Sequence, residues 1–155
     1  MLFFGTGISK NKTIHKTYSY FTKQLKPEFV EIEGLKYYLD DKDSLGLSVS
    51  RTHEKTETEI VKQVVKEGDI VIDVGAHIGY YTLIFAKIVG NKGKVFAFEA
   101  NKKNFEVLEK NVLKNNFKNI ICENMIVSDK IGKVQMYSLD SSTANRLFDE
   151  GNNEN

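Results

Sequence analysis

The sequence predicts an α/β domain built on a doubly wound parallel sheet, and three observations support this prediction. Strand-like and helix-like segments alternate between residues 70 and 127. The segment Ile70–Val74 is an almost continuous apolar run, typical of a strand covered on both faces in a parallel sheet. Gly75 and Gly79 then lead directly into a helical pattern, so a helix N-terminus and loop N–H groups are expected to face a ligand at the carboxyl end of the sheet.

The segments before this strand are predicted to be accessory. Residues 1–28 read as an N-terminal extension with one helix ending before Pro27. A helix lying on a membrane surface is the alternative for this extension. Residues 29–50 read as a hairpin and a loop, because apolar and polar residues alternate on both sides of Gly34. Residues 56–59 form a capping box, which predicts the start of a further helix.

The remaining elements follow in order within a unit spanning residues 51–140. We predict a helix over 79–89, a buried strand over 94–99 and a helix over 101–116. The inner stripe of this last helix is expected to contain Phe105, Leu108, Val112 and Leu113. A third strand over 119–127 and an extended segment over 133–139 follow, and residues 141–155 are expected to form a polar, disordered tail.

The composition indicates one soluble globular domain. The chain has 155 residues, of which 41% are hydrophobic and 28% charged, and its net charge is +1. This near-neutral balance argues against a nucleic-acid partner, and the lysines of the 101–116 helix are expected to form a solvated face. Cys122 is the only cysteine, which excludes an internal disulfide and a cysteine-based zinc site. We expect no metal, no membrane span and a cytoplasmic location.

Two acidic residues select the ligand of the glycine loop. Dinucleotide sites use G-x-G-x-x-G, whereas here the middle glycine is absent and Asp73 precedes the first glycine. An acid at this place repels pyrophosphate but attracts an ammonium group. Glu99, at the end of the next strand, can accept hydrogen bonds from two ribose hydroxyls. A nucleoside with an ammonium group and no phosphate fits both acids, and S-adenosylmethionine is such a ligand.

Several stretches between residues 31 and 139 resemble the front half of FkbM-type methyltransferases, which are class I S-adenosylmethionine-dependent enzymes. The resemblance rests on residues 68–82, on 93–99, on Asn104-Phe105, on Leu108 with Asn111, and on 127–129. It implies a Rossmann-like sheet of the class I methyltransferase type. The sequence departs from the family at Ala100, where proline is usual, and at His77 and Ile126, where asparagine and alanine are frequent.

The resemblance also implies the cofactor-binding residues. The loop residues that would line the methionine end of the cofactor are Asp73, Gly75, Ala76, His77 and Gly79. The helix beside them would begin with Tyr81 and Thr82. Glu99 would hold the ribose, and Ile126 would adjoin the adenine. No catalytic residue is assigned.

Each assignment has a simpler alternative. Asp73 would then cap loop N–H groups at the helix start. Gly75 and Gly79 would serve packing alone. Glu99 would be an ordinary exposed acid at a strand end. His77 would be a metal ligand or a base, although a loop contact is favoured because no second histidine or cysteine lies nearby in the sequence.

The sequence is expected to contain only the first three core strands of the domain. The family carries a segment resembling Lys-Ile-Asp-Val-Glu-Gly after a fourth core strand, and this sequence has no counterpart. Because the first strand lies in the middle of such a sheet, one of its edges would stay unpaired. The isolated chain is therefore expected to self-associate through this edge.

These observations favour a methyltransferase. By resemblance, the acceptor would be a hydroxyl on a sugar, a glycan or a secondary metabolite. The alternative is a cofactor-binding module or degenerate fragment without catalysis. A nucleotide-dependent oxidoreductase is disfavoured because the loop lacks the middle glycine.

Overall fold

The computed structural model describes residues 27–129, 132, 135–138 and 145–148, the last two segments as backbone alone. The helix predicted before Pro27 lies outside the described residues. Within them the chain forms a hairpin, a parallel sheet with helices, and a second antiparallel strand pair. No helix of this part of the chain has the length and apolar character needed to cross a membrane.

The first two strands form the predicted hairpin. Strand β1 (Phe29–Ile32) pairs with β2 (Leu35–Tyr38) in antiparallel fashion, with Val30 opposite Tyr37. The turn residues Glu33 and Gly34 have φ values of 51° and 78°. Positive φ at both central positions belongs to the tight hairpin turn whose twist matches that of the strands. Local alternation and one glycine were therefore sufficient to predict this element.

Within the described residues, four α-helices and a 3-10 turn (Gly90–Lys92) follow the hairpin. The α-helices are α1 (Leu47–Ser50), α2 (Lys55–Val64), α3 (Tyr80–Val89) and α4 (Lys102–Lys114). The predicted capping box is wrong, because α2 begins before Thr56 and its N-cap, Glu54, makes no side-chain cap. Within the first turn, the hydroxyl of Thr58 donates to the carbonyl of His53 at 2.9 Å. At α4 the side chain of Asn101 accepts the N–H groups of residues 103 and 104, which caps the helix.

The central sheet contains β3 (Ile70–Val74), β4 (Lys94–Phe98) and β5 (Ile120–Glu123), all parallel and in that spatial order. Asp73 lies opposite Ala97, which in turn lies opposite Cys122. This arrangement agrees with the predicted α/β fold and its three core strands. The third strand is shorter than predicted, because it ends at Glu123 and not at residue 127.

Only one face of this sheet is covered in the described part of the chain. Val95 and Ala97 are fully buried on the face that carries α3 and α4. On the other face Ile70, Ile72 and Val74 are 73%, 65% and 60% exposed, so the expectation that β3 is covered on both faces is wrong here. Right-handed crossovers that advance in one direction place successive helices on the same side of a sheet, which explains the asymmetry.

Helix α4 joins the hairpin to the sheet through two asparagines. Asn111 accepts the N–H of Tyr38 at 2.6 Å and donates to its carbonyl at 3.1 Å. Asn115 bonds the N–H and carbonyl of Lys36 in the same way, at 2.8 and 2.7 Å. The two amides thus satisfy the outer edge of β2 as a neighbouring strand would. Of the predicted inner stripe, Leu108 is fully buried but Leu113 is 73% exposed.

The last two strands, β6 (Gln135–Ser138) and β7 (Asn145–Phe148), form an antiparallel pair with Gln135 opposite Phe148. Strand β7 lies within residues 141–155, so the prediction of a wholly disordered tail is wrong at these four positions. A polar composition predicts disorder, but residues 145–148 pair with β6, which is nearby in the sequence, and so form a short strand.

Candidate cofactor site

The sheet brings the two selected acids to the same edge. Asp73 is the fourth residue of β3, and Glu99 comes directly after β4. Because the strands are parallel and Asp73 is opposite Ala97, both carboxylates lie at the carboxyl end of the sheet. The charge of Glu99 contributes to raising the pKa of Asp73, which indicates that the two groups interact. Two carboxylates at one edge of the sheet suit a positively charged ligand.

Asp73 is oriented by a buried hydroxyl group. Thr82 Oγ1 donates to Asp73 Oδ2 at 2.5 Å, and Thr82 is fully buried in α3. Burial raises the pKa of Asp73, the Thr82 hydrogen bond lowers it, and Glu99 raises it again, so the pKa lies above its ordinary value. The partner that the structure gives to Asp73 is therefore a helix hydroxyl and not the loop N–H groups of the capping alternative.

Glu99 is a buried anchor of the loop. It is only 6% exposed, and its two oxygens accept the backbone N–H groups of His77 and Asn101, each at 2.8 Å. This excludes the alternative in which Glu99 is an ordinary exposed acid. Each carboxylate oxygen has a second lone pair, so the group retains the capacity to accept ligand hydroxyls.

The N–H groups of the glycine loop are largely used within the protein. Gly75 and Ala76 both donate to the carbonyl of Phe98 at 2.9 Å, and Gly79 donates to Ala76 at 2.7 Å. With His77 bonded to Glu99, four N–H groups of the loop are engaged. The expectation that loop N–H groups face a ligand is wrong for these four. Because these N–H groups already donate within the protein, the loop has few donors left for a phosphate, and a ligand without phosphate is favoured.

The two loop glycines have different roles. Both have left-handed backbones, with φ values of +79° at Gly75 and +89° at Gly79. A Cβ on Gly79 would lie 2.6 Å from Leu108 Cδ1, so this glycine is required by packing against α4. A Cβ on Gly75 would meet nothing within 4 Å, so this glycine borders open space. The packing alternative therefore describes Gly79 and not Gly75.

His77 contacts a loop that the sequence analysis did not assign to the site. Its Nε2 lies 3.4 Å from Ser44 Oγ, and Ser44 Oγ donates to Asp40 Oδ2 at 2.6 Å. The loop contact favoured for His77 is thus observed. Asp40 and Ser44 lie in a polar stretch before Gly46, whose composition indicated only a loop. Asn111 is a further missed residue, although it belongs to the stretches that carry the family resemblance.

The remaining predicted residues lie at the margin of the site. Tyr81 donates its hydroxyl to Glu54 Oε2 at 3.0 Å and so faces the start of α2. Ala76 is buried against Ala97 and Leu108, where it shapes the loop by packing. Ile126 is half-buried and lies three residues beyond the end of β5, so its predicted place within the third strand is wrong.

Comparison with known protein families decides the classification. Residues 29–143 match the model of the TRM5/TYW2 methyltransferase domain, which covers most of the chain. The chain belongs to the TRM5/TYW2 methyltransferase domain family. Membership confirms the predicted methyltransferase class and its cofactor, S-adenosylmethionine. The narrower FkbM-type assignment is not supported.

One solved structure supports the fold, and two further structures are similar over part of the chain. TYW2 from P. horikoshii in complex with MeSAdo is 22% identical with a TM-score of 0.53, covering 81% of this chain and 52% of that one. TYW2 from M. jannaschii in complex with AdoMet is 25% identical with a TM-score of 0.49, covering 65% and 42%. Trm5b from Pyrococcus abyssi is 25% identical with a TM-score of 0.48, covering 65% and 28%. The chain thus spans about half or less of these proteins. No curated protein matches it.

The family corrects the predicted partners. Members of the TRM5/TYW2 family act on tRNA, so the expectation of no nucleic acid and of a glycan or small-molecule hydroxyl acceptor is wrong. The expectation rested on a net charge of +1, which is a sum over the whole chain. Such a sum does not exclude a local basic surface, nor binding through shape and stacking.

Proposed function

We propose that this chain binds S-adenosylmethionine across the carboxyl ends of β3 and β4 and serves the methylation of tRNA. The observation that carries the proposal is the pair of carboxylates, Asp73 and Glu99, flanking a loop whose N–H groups are engaged. This arrangement favours a cationic nucleoside without phosphate. Family membership supplies tRNA as the acceptor class.

The two carboxylates have separate roles in this proposal. Asp73, held by Thr82, faces the cationic methionine end, where the ammonium and the sulfonium offset the repulsion from Glu99. Glu99 accepts the ribose hydroxyls with the lone pairs that the backbone N–H groups leave available. Gly75 borders open space and leaves room for the methionine arm beside the loop.

Other residues are proposed to shape the site without direct contact through a polar group. Ala76, His77 and Gly79 fix the loop, and Thr82 orients Asp73. Tyr81 is proposed to close the side of the site next to Glu54, and Ile126 is proposed to adjoin the adenine. These last two assignments rest on the positions of the residues along the chain.

When bound, S-adenosylmethionine supplies an electrophilic methyl group on a sulfonium. The protein's part is alignment, because in-line displacement requires the acceptor, the methyl carbon and the sulfur to be collinear. Buried groups that are already hydrogen-bonded, such as Glu99 and Thr82, hold such an alignment well.

Calorimetry on the 155-residue chain tests the proposal. We expect S-adenosylmethionine and S-adenosylhomocysteine to bind and NAD not to bind, with the affinity for S-adenosylmethionine at least about tenfold weaker in Asp73→Asn. Binding of NAD alone would overturn the proposal.

Incubation with tRNA and methyl-labelled cofactor then tests transfer. Label in tRNA together with S-adenosylhomocysteine reports methyl transfer, whereas methylthioadenosine would report transfer of the aminocarboxypropyl arm. Cofactor binding without either product would favour the alternative of a non-catalytic binding module.

A further inference from the structure

The loop between β2 and α1 is organised around the buried carboxylate of Asp40. This residue is 8% exposed and accepts the N–H of Lys42 at 2.9 Å, the N–H of Ser44 at 3.0 Å and the hydroxyl of Ser44 at 2.6 Å. Burial alone would raise the pKa of Asp40, but these hydrogen bonds and the nearby His77 lower it below the ordinary value. Asp40 is therefore an ionised acceptor at neutral pH.

The hydrogen bonds define a direction from His77 to Asp40. A serine hydroxyl has one hydrogen, and Ser44 donates it to Asp40. Toward His77 Nε2, at 3.4 Å, the Ser44 oxygen must therefore act as the acceptor. This contact therefore needs a proton on Nε2 of His77, and both the neutral ring protonated at Nε2 and the imidazolium that lowers the pKa of Asp40 carry one. The chain of groups thus runs from an imidazole N–H to a hydroxyl and on to a carboxylate.

His77 connects this chain of groups to the candidate cofactor site. Its backbone N–H donates to Glu99 at 2.8 Å, and its φ is +52°, a conformation that is unfavourable for a residue with a side chain. The contact between Ser44 Oγ and the imidazole holds the side chain in place and so stabilises this conformation. The same contact therefore affects where the Glu99 carboxylate lies.

We propose that Asp40, Ser44 and His77 form a positioning relay that holds His77 with its proton on Nε2 and fixes the glycine loop against Glu99. The three residues are positioning residues, since they act on the ligand through the loop backbone and Glu99. The effect on cofactor affinity rests on the function proposed above, whereas the protonation of His77 in the unliganded protein does not.

Nitrogen-15 NMR of the histidine side chains tests the relay without any ligand. In the unmodified chain we expect His77 to show the signals of a ring protonated at Nε2. In Ser44→Ala the acceptor is lost, so we expect the tautomer signals to shift toward a mixture. Ser44→Thr keeps a hydroxyl and should restore the original signals. Unchanged His77 signals in Ser44→Ala would overturn the proposal.

Calorimetry with S-adenosylhomocysteine tests the consequence for binding. We expect Ser44→Ala to weaken affinity about threefold to tenfold, with recovery in Ser44→Thr. His77→Asn serves as a second variant, because asparagine tolerates positive φ and lets the loop fold without the imidazole. The double variant Ser44→Ala, His77→Asn should bind no more weakly than His77→Asn alone.

Additive losses in the double variant would show that Ser44 and His77 act independently, which would overturn the relay. If the unmodified chain binds no S-adenosylhomocysteine while the NMR signals respond as expected, the relay stands and the proposed function fails. The two proposals are therefore separated by the same set of samples.

Discussion

The side-chain amide of Asn111 donates to the carbonyl of Ile78 at 2.7 Å, which ties helix α4 to the glycine loop. The same amide bonds both the N–H and the carbonyl of Tyr38. Both amide hydrogens and one acceptor lone pair of one fully buried side chain are thus divided between the hairpin and the loop. A single helical position therefore connects two segments that are far apart in the sequence.

Replacing Asn111 should destabilise the fold strongly. Asn111→Leu removes the partners of three backbone groups while keeping a similar volume, so we expect the free energy of unfolding to fall by about 3 kcal/mol. Urea denaturation monitored by circular dichroism measures the change. Asn115→Leu is the control and should lose only about 1 kcal/mol, because Asn115 is itself only half-buried and water can replace its hydrogen bonds. Equal losses at both positions would contradict this account.

The two loop glycines provide a matched pair. Gly79→Ala and Gly75→Ala both force alanine into a left-handed backbone, which costs about 1 kcal/mol. Gly79→Ala also drives Leu108 out of place, adding about 1 to 3 kcal/mol. We therefore expect Gly79→Ala to melt at a lower temperature than Gly75→Ala. The reverse order would be inconsistent with the different packing around the two residues.

The Asp73 carboxylate should lower the stability of the fold at neutral pH and strengthen the binding of S-adenosylmethionine. Because the pKa of Asp73 is raised in the folded state, its ionised form opposes folding at neutral pH, and this penalty disappears as the pH falls through the raised pKa. Asp73→Asn keeps an acceptor for Thr82 without the charge, so we expect a melting temperature at pH 7 that is equal or higher. Affinity for S-adenosylmethionine should fall at least about tenfold.

The pH dependence of binding follows from the same pKa. A cationic ligand requires ionised Asp73, so affinity should decline as the pH falls toward the raised pKa, which lies above the ordinary value of 3.8. Calorimetry from pH 7 down to the onset of acid unfolding measures this decline. The Asp73→Asn variant should lack the part of the dependence that belongs to Asp73; an identical profile in both proteins would argue against its role.

Glu99 should matter for ligand and loop together. Glu99→Gln keeps one side-chain oxygen but replaces the other with an amide nitrogen, which cannot accept the N–H of His77 or Asn101. We expect about tenfold weaker binding of S-adenosylhomocysteine and a loss of about 1 kcal/mol in stability. Glu123→Gln, on the neighbouring strand, is the control and should change neither quantity appreciably.

The two faces of the sheet should respond differently to polar substitution. Val95→Thr places a hydroxyl in the fully buried core, and we expect a loss of about 2 kcal/mol. Ile72→Thr acts on a side chain that is 65% exposed, so the loss should stay below about 1 kcal/mol. Urea denaturation of this chain compares the two. A larger loss for Ile72→Thr would mean that its face is covered in solution.

Local patterns predicted most of the fold, and the errors have physical causes. The hairpin, β3 and α3 follow from alternation, an apolar run and helical spacing, all of which are short-range signals. The capping box failed because the helix begins at Lys55, so Thr56 lies inside its first turn and not at its N-cap. The coverage of β3 was overestimated because an apolar sequence reports the tendency of a face to be buried and does not reveal what packs on it.

The sequence predicted only those parts of the site whose positions follow from the topology of the sheet. Asp73 and Glu99 meet because parallel strands direct their carboxyl ends to one edge, a rule that needs no knowledge of side-chain contacts. Asp40 and Ser44 reach His77 through a loop, whose course no periodicity describes. The sequence analysis argued against nucleic acid, whereas the family acts on tRNA, because a net charge contains no information on where charges lie.

The engaged N–H groups of residues 75, 76, 77 and 79 have a consequence for the kinetics of recognition. A loop that its own hydrogen bonds already hold in place does not need to be ordered when a small molecule binds, so little conformational entropy is lost there on binding. Encounter should then proceed in a single kinetic phase, and differences among ligands should appear mainly in how fast they leave.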